Sequence, residues 1–225
     1  MNKEIMFKKV ELFKSKTPIE YETASRFMEK RSSLIHSGEA NELVWLLEHP
    51  NVYTAGSSAK DNELLDTKDI PVYKTPRGGK YTYHGPGQRI IYLMLNLERC
   101  NKDIRKFIMI LERIIIKTFK TFDMDVYPVR DRIGIWIKTS NGEEKIGAIG
   151  LKVKKWISLH GISININPDL QYFDGIIPCG LSEFNVTSIE SIKKNISIDD
   201  FDQEFLLNFE QEFGNVQKIS NLTLD

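Results

Sequence analysis

Helical and strand-like periodicities take turns along this 225-residue chain, and three observations predict an α+β fold, a mixed β-sheet sandwiched with helices. Apolar side chains recur at helical spacing in three places: at Tyr21, Ala24, Met28 and Ile35, at Ile104, Phe107, Ile108, Leu111, Ile114 and Ile115, and at Phe201, Phe205, Phe209 and Phe213. Residues 132–138 and 160–167 alternate in the manner of half-buried strands. Asn141-Gly142 stands between two such runs, as a type I′ hairpin requires.

The elements follow in order. Thr17-Pro18-Ile19-Glu20 has the form of a capping box with proline at the first helical position, opening a helix that Gly38 closes. Residues 42–48 and 90–97 are nearly continuous apolar runs, which suit strands covered on both faces. Asn101 is positioned to cap the second helix, and Ser197 or Asp199 the third. In 160–167, Ile162, Ile164 and Ile166 share one face, leaving Ser163 and Asn165 on the other. The hairpin joins a strand ending near Lys138 to one that includes residues 145–149. No repeat, low-complexity tract or proline-rich linker divides the chain, so residues 1–225 are expected to form a single domain.

Composition excludes several classes of function. The 31 basic and 31 acidic residues cancel, so no net field points to nucleic acid or an anionic membrane as partner. The longest apolar runs, such as 90–95, fall far short of a membrane span. Two cysteines, Cys100 and Cys179, are too few for a disulfide framework, and no Cys/His spacing suits zinc; a metal-free protein of a reducing compartment is expected. The N-terminal residues carry Glu4 and Glu11 and no signal-peptide apolar core, which points to the cytoplasm.

Chemistry concentrates in Arg77-Gly78-Gly79-Lys80-Tyr81-Thr82-Tyr83-His84-Gly85-Pro86-Gly87-Gln88. A phosphate loop needs glycine, four residues, then Gly-Lys-Ser/Thr, but Lys74 stands where the first glycine should be and Tyr81 where the hydroxyl should be. The dinucleotide fingerprint fails as well, because Gly85-Pro86-Gly87 leads into a strand and continues to Ile90. Turn formation accounts for Gly85-Pro86-Gly87 but not for the crowding of Arg77, Lys80, Thr82 and His84 beside it.

Cys179 lies in Pro178-Cys179-Gly180, where neighbours that fix and free the backbone present a side chain; a cysteine without such a setting is by default a small buried hydrophobe. A nucleophilic cysteine needs a cation to favour its thiolate. Lys145 is a candidate, since it opens Lys145-Ile146-Gly147-Ala148-Ile149-Gly150, whose small residues, with Gly161 and Ser163, would suit a narrow slot for a long apolar group. Close packing of strand against helix would favour the same small residues.

Taken together, His49-Pro50-Asn51-Val52-Tyr53-Thr54-Ala55-Gly56, the stretch 77–88, Lys145 to Gly150, His160-Gly161, Pro178-Cys179-Gly180-Leu181 and Val186-Thr187-Ser188 resemble the lipoyl(octanoyl) transferases. The resemblance implies the catalytic fold shared by lipoate-protein and biotin-protein ligases. It implies transfer of an octanoyl group from acyl carrier protein to a lysine on lipoyl domains, those of 2-oxoacid dehydrogenase complexes and the glycine cleavage H protein, without a cofactor. Cys179 would carry the acyl group as a thioester, with Lys145 as its partner. Arg77, Gly78, Gly79, Lys80, Tyr81, Thr82, Tyr83, His84, Ala148, Ile149, Gly150, Gly161, Ile162 and Ser163 would line the acyl pocket. Asn185 departs from the usual glycine before Val-Thr-Ser, and Gly147 occupies a variable small position. An ATP-dependent lipoate ligase and a non-catalytic acyl-binding module are the alternatives. Lys152, Lys154 and Lys155 are candidates for docking an acidic partner.

Overall fold

In the computed structural model, the described residues are 9–130, 132–177, 185–193 and 195–224, without the side chain of Ile133. They form, in chain order, β1 (Val10–Lys14), α1 (Tyr21–Ser37), β2 (Glu42–Leu47), β3 (Val52–Ala55), β4 (Val72–Lys74), β5 (Tyr81–His84), β6 (Gln88–Met94), α2 (Ile104–Lys120), β7 (Val126–Val129), β8 (Arg132–Thr139), β9 (Gly142–Lys154), β10 (Ile157–Asn165), β11 (Asn185–Val186), α3 (Ile189–Ile192), α4 (Ile198–Phe213) and β12 (Val216–Lys218). The large sheet has the order β12-β1-β2-β6-β10-β9-β8-β7, with β11 against β9. β1 runs parallel to β2 and β12, and β11 to β9, while the remaining pairs are antiparallel. A small sheet, β4-β3-β5, stands apart. The architecture is the mixed α+β sandwich that the periodicities predict.

Each face of the large sheet has its own core. On one side α2 and α4 bury Phe107, Leu111, Ile114, Phe201, Phe205 and Phe209 against Ile91, Leu93, Ile162 and Ile164. Sequestering a phenylalanine of this kind contributes roughly 1.5–3 kcal/mol. On the other side α1 packs Ala24, Phe27 and Met28 on Trp45, Leu47, Ile90 and Tyr92. Because this second face also carries Ser163 and the small residues of β9, the alternation in β10 sends its isoleucines to one core and its polar side chains toward the space beneath the small sheet.

The helix starts differ from the predicted ones. α1 begins at Tyr21 with Glu20 at its N-cap and no capping side chain, because residues 17–20 are tied elsewhere: Ile19 N–H donates to Glu48 C=O. Asp103, not Asn101, caps α2 through the Lys106 N–H, while Asn101 adopts φ 57° and ends the preceding 3-10 turn. Ser197 caps α4 in a full capping box with Asp200, as its sequence predicts. The hairpin joins β8 to β9 at the predicted place, yet Thr139 pairs with Gly142, so Ser140 and Asn141 form the turn and only Gly142 takes the positive φ, at 106°.

Candidate active site

Where the small sheet faces β6, β9 and β10, a narrow slot opens between them. Its floor is Ile90, Tyr92, Ala148, Gly150, Gly161 and Ser163, its wall is Arg77 to Thr82 with His84, and Tyr21 closes one side. Lys145, Ile149 and Ile162 also line it. Of the residues singled out in the sequence for the pocket, Tyr83 alone points elsewhere: the alternation of β5 turns it into a separate cluster with Tyr53 and Phe173, and its hydroxyl donates to Asn51 Oδ1. Cys179 lies outside the described residues. Its described flanks are anchored, Ile177 N–H donating to Glu63 C=O, and Val186 pairing with Lys145 across β11 and β9.

The glycine-rich wall is built around Arg77. This buried guanidinium donates to Gly78 C=O, to Lys80 C=O, and to both the carbonyl and hydroxyl oxygens of Thr54. It is therefore the internal clamp that gives the wall its shape. Lys80 is paired with Glu63. Lys145 is buried and lies across Gly134, where an added Cβ would come within 2.6 Å of Lys145 Cε. A β-bulge between Ile135 and Trp136 shifts the register that brings β8 alongside Lys145. Gly161 is required by its own strand: a Cβ there would sit 2.0 Å from the Ile91 carbonyl oxygen, so close approach of β6 to β10, as well as the slot, demands glycine. The preceding His160 takes φ 60°, which swings its imidazole over the cavity.

Three histidines cluster here, and sequence reasoning picked out only one of them for the pocket. His49 is fully buried, and desolvation pushes its pKa down to about 4. Ile19 C=O can only accept, so His49 Nδ1–H donates to it and the lone pair at Nε2 receives the Tyr92 hydroxyl at 2.7 Å. Burial drives His160 down to about 3, with Arg77 and Lys152 adding to the shift. His84 is held well below its ordinary value by burial and by neighbouring His49, Arg77 and His160. The cavity thus presents two neutral imidazoles, His84 and His160, with the buried His49 ring 5.8 Å from that of His84. Their signal in the sequence was faint, because His49 and His160 stand far from the glycine-rich stretch and only the fold assembles them.

A smaller recess adjoins the cavity, sharing Thr82, Lys145, Ala148 and Ser163 with it and adding Gln88, Gly147, Asn165, Phe173 and Val186. Farther along β9, Lys152 and Lys154 each meet an oxygen of the same Glu29 carboxylate at 2.7 Å, which offsets one of the lysine charges of this segment.

A slot beneath a glycine-rich wall, with a buried lysine at its side, is the arrangement of a candidate active site. The model for the lipoyl protein ligase A/B catalytic domain matches residues 20–210. The octanoyltransferase of Zymomonas mobilis is 52% identical over 184 residues, 82% of this chain and 85% of that protein. A lipoate protein ligase structure from T. acidophilum, with bound lipoic acid, superposes with a TM-score of 0.74 at 14% identity, over 97% of this chain and 91% of the other. Biotin protein ligase from Aquifex aeolicus, in complex with biotin and ATP, gives 0.55 at 13% identity, over 90% and 69%. The chain belongs to the lipoyl protein ligase A/B family, within its octanoyltransferases, and is an acyltransferase.

Proposed function

We propose that this enzyme moves an octanoyl group from acyl carrier protein to the ε-amine of a lysine on lipoyl domains of lipoate-dependent enzymes, through a thioester on Cys179. The observation that carries this reading is the cavity, which joins a narrow, largely apolar floor to Lys145 at one side. An eight-carbon chain in that slot would gain roughly 5 kcal/mol at about 0.8 kcal/mol per methylene.

The chemistry divides into two acyl transfers. Cys179 thiolate attacks the carbonyl carbon of the donor thioester, a new C–S bond forms, the bond to the phosphopantetheine sulfur breaks, and that sulfur takes a proton from the Lys145 ammonium. The acceptor amine then attacks the enzyme thioester; its proton goes to the now neutral Lys145 amine, the C–N bond forms and Cys179 leaves as thiolate. The ammonium–thiolate pair is restored, so neither ATP nor a cofactor enters the balance. Backbone N–H groups near Cys179 and on the glycine-rich wall are candidate donors to the tetrahedral oxyanion.

Incubation with octanoyl carrier protein in the absence of ATP tests the scheme, with intact mass spectrometry as the readout. A mass increase of one octanoyl group, lost in Cys179→Ala, is expected. No adduct on the wild type, together with transfer supported by ATP and free octanoate, would establish a ligase instead; neither product would leave a binding module.

A further inference from the structure

Between the cavity wall and the strand beside Lys145 runs a buried chain of hydrogen bonds whose polarity is fixed. Gln88 Nε2 donates to Tyr83 C=O and to Asn165 Oδ1, which uses both of its hydrogens and leaves Oε1 as acceptor. His84 Nδ1–H fills that position at 2.7 Å. Asn165 Nδ2 in turn donates to Thr187 C=O, and Thr187 N–H donates to Lys145 C=O. Gln88, Asn165 and Thr187 are all more than nine-tenths buried, so none of these groups can exchange its partner for water at low cost. Along the path His84, Gln88, Asn165, Thr187 and Lys145 each donor points from the wall toward β9, and only the second hydrogen of Gln88 turns back, to Tyr83.

The consequence falls on the other edge of the His84 ring. With Nδ1 carrying the hydrogen of a neutral imidazole, Nε2 is a lone pair, it has no protein partner among the described residues, and it belongs to a side chain that is 7% exposed and lines the cavity. An unpartnered acceptor in such a place calls for a donor from the substrate. The two other histidines do not compete for that role: His49 is committed to Ile19 and Tyr92, and His160 lies across the floor on β10. We infer that His84 is a further catalytic residue of the acyl transfer, its Nε2 accepting a hydrogen bond from a substrate N–H as the acyl group moves. The attacking lysine amine is the partner that fits best, because holding one N–H aims the nitrogen lone pair while Lys145 receives the proton that departs. An amide N–H of the donor's arm offers the same chemistry. Gln88 and Asn165 are positioning residues for this group, acting by holding the ring in one tautomer.

This inference rests on the thioester scheme, and the test keeps the two apart. Acylation of Cys179 by octanoyl carrier protein is followed first, by mass, and then transfer from the isolated acyl-enzyme to a lipoyl domain. If the wild type forms no acyl-enzyme the thioester scheme itself fails, before any His84 variant is made. His84→Leu is expected to slow the second step roughly ten-fold, the loss of about one buried hydrogen bond, and to slow it more than the first. His84→Gln, which can place an acceptor near Nε2, should recover most of that loss. A defect confined to the first step would support the acceptor role and assign its partner to the donor's arm.

Gln88→Glu supplies a readout that packing alone would not move. A carboxylate at Nδ1 favours the imidazolium against burial and the neighbouring Arg77, His49 and His160, with Tyr21 stacked on the ring and Lys80 and Lys145 on the same cavity lining. Below its raised pKa His84 would then carry a hydrogen on Nε2 and become a donor, so transfer should fail at low pH and return as pH rises. Unchanged rates for His84→Leu in both steps, or equal losses in His84→Leu and His84→Gln, would overturn the inference.

Discussion

Gly134→Ala is the substitution that tests most directly whether the position of Lys145 matters. Gly134 has φ 152° on β8, and its missing side chain leaves the space that the Lys145 stem crosses. An added Cβ would lie 2.6 Å from Cε and 3.3 Å from Cδ, so Cε falls 0.8 Å short of the 3.4 Å at which ordinary contact begins. The nearest obstacle is the far part of a flexible side chain, with the Gly147 carbonyl oxygen at 3.2 Å a milder one, and the lysine gives way before the sheet does. Displacing a reacting group by about 1 Å costs on the order of 100-fold in rate, so acylation in single-turnover rapid-quench experiments should slow by about 30- to 100-fold. The backbone also resists a Cβ, which lowers stability by roughly 1–3 kcal/mol. Gly142→Ala provides the control, because Gly142 has φ 106° with nothing within 4 Å of its Cβ position. That variant should lose stability in urea denaturation yet acylate at the wild-type rate. If Gly134→Ala acylated as fast as Gly142→Ala, Lys145 would have no demanding position and its role in the scheme would fall.

Three further outcomes are expected. Ala148→Leu raises the floor of the slot; each methylene of the acyl chain it displaces should cost about four-fold in kcat/KM, measured across a series of acyl chain lengths, so shorter donors overtake octanoyl. Arg77→Lys replaces a planar fork making four hydrogen bonds with a point donor, loosening the glycine-rich wall; KM for the acyl donor should rise several-fold, with a smaller change in kcat, in steady-state transfer assays. His49 is kept neutral in the folded protein down to about pH 4, whereas the unfolded chain protonates it near 6.5, so the folded state binds fewer protons across that window. Stability should therefore be full above about pH 6.5 and decline as pH falls toward 4, and chemical denaturation at several pH values should show a shallower decline for His49→Gln.

The fold was legible because its elements declare themselves locally. Ile162, Ile164 and Ile166 alternate with Ser163 and Asn165 in the sequence, and the structure sends the first set into the core under α2 and α4. Helix starts were less legible, since the Thr17 capping box competes with a backbone bond from Ile19 to Glu48 that no local pattern encodes. At the site, the small residues of β9 and β10 and the crowding within 77–88 marked the right segments, yet the clamp function of Arg77 depends on Thr54, twenty-three positions earlier. Gly134 escaped notice because a single glycine in an alternating strand has no distinguishing spacing; only its contact with Lys145 gives it meaning. The pairing of His84 with Gln88 was within reach, four residues apart, but its direction required Asn165 and Thr187.

The wall and the floor of the cavity are consecutive pieces of one chain. β5 ends at His84 and β6 begins at Gln88, and the turn between them is tied down by the Gly87 N–H donating to the Glu48 carboxylate at 2.7 Å. The gap between the two surfaces is therefore set by a short tether, like the jaw of a fixed gauge, and cannot widen by lengthening a loop at its rim. Changes of acyl preference in descendants of this sequence should accordingly arise by exchanging side chains on the floor strands, one residue at a time, with insertions between His84 and Gln88 selected against.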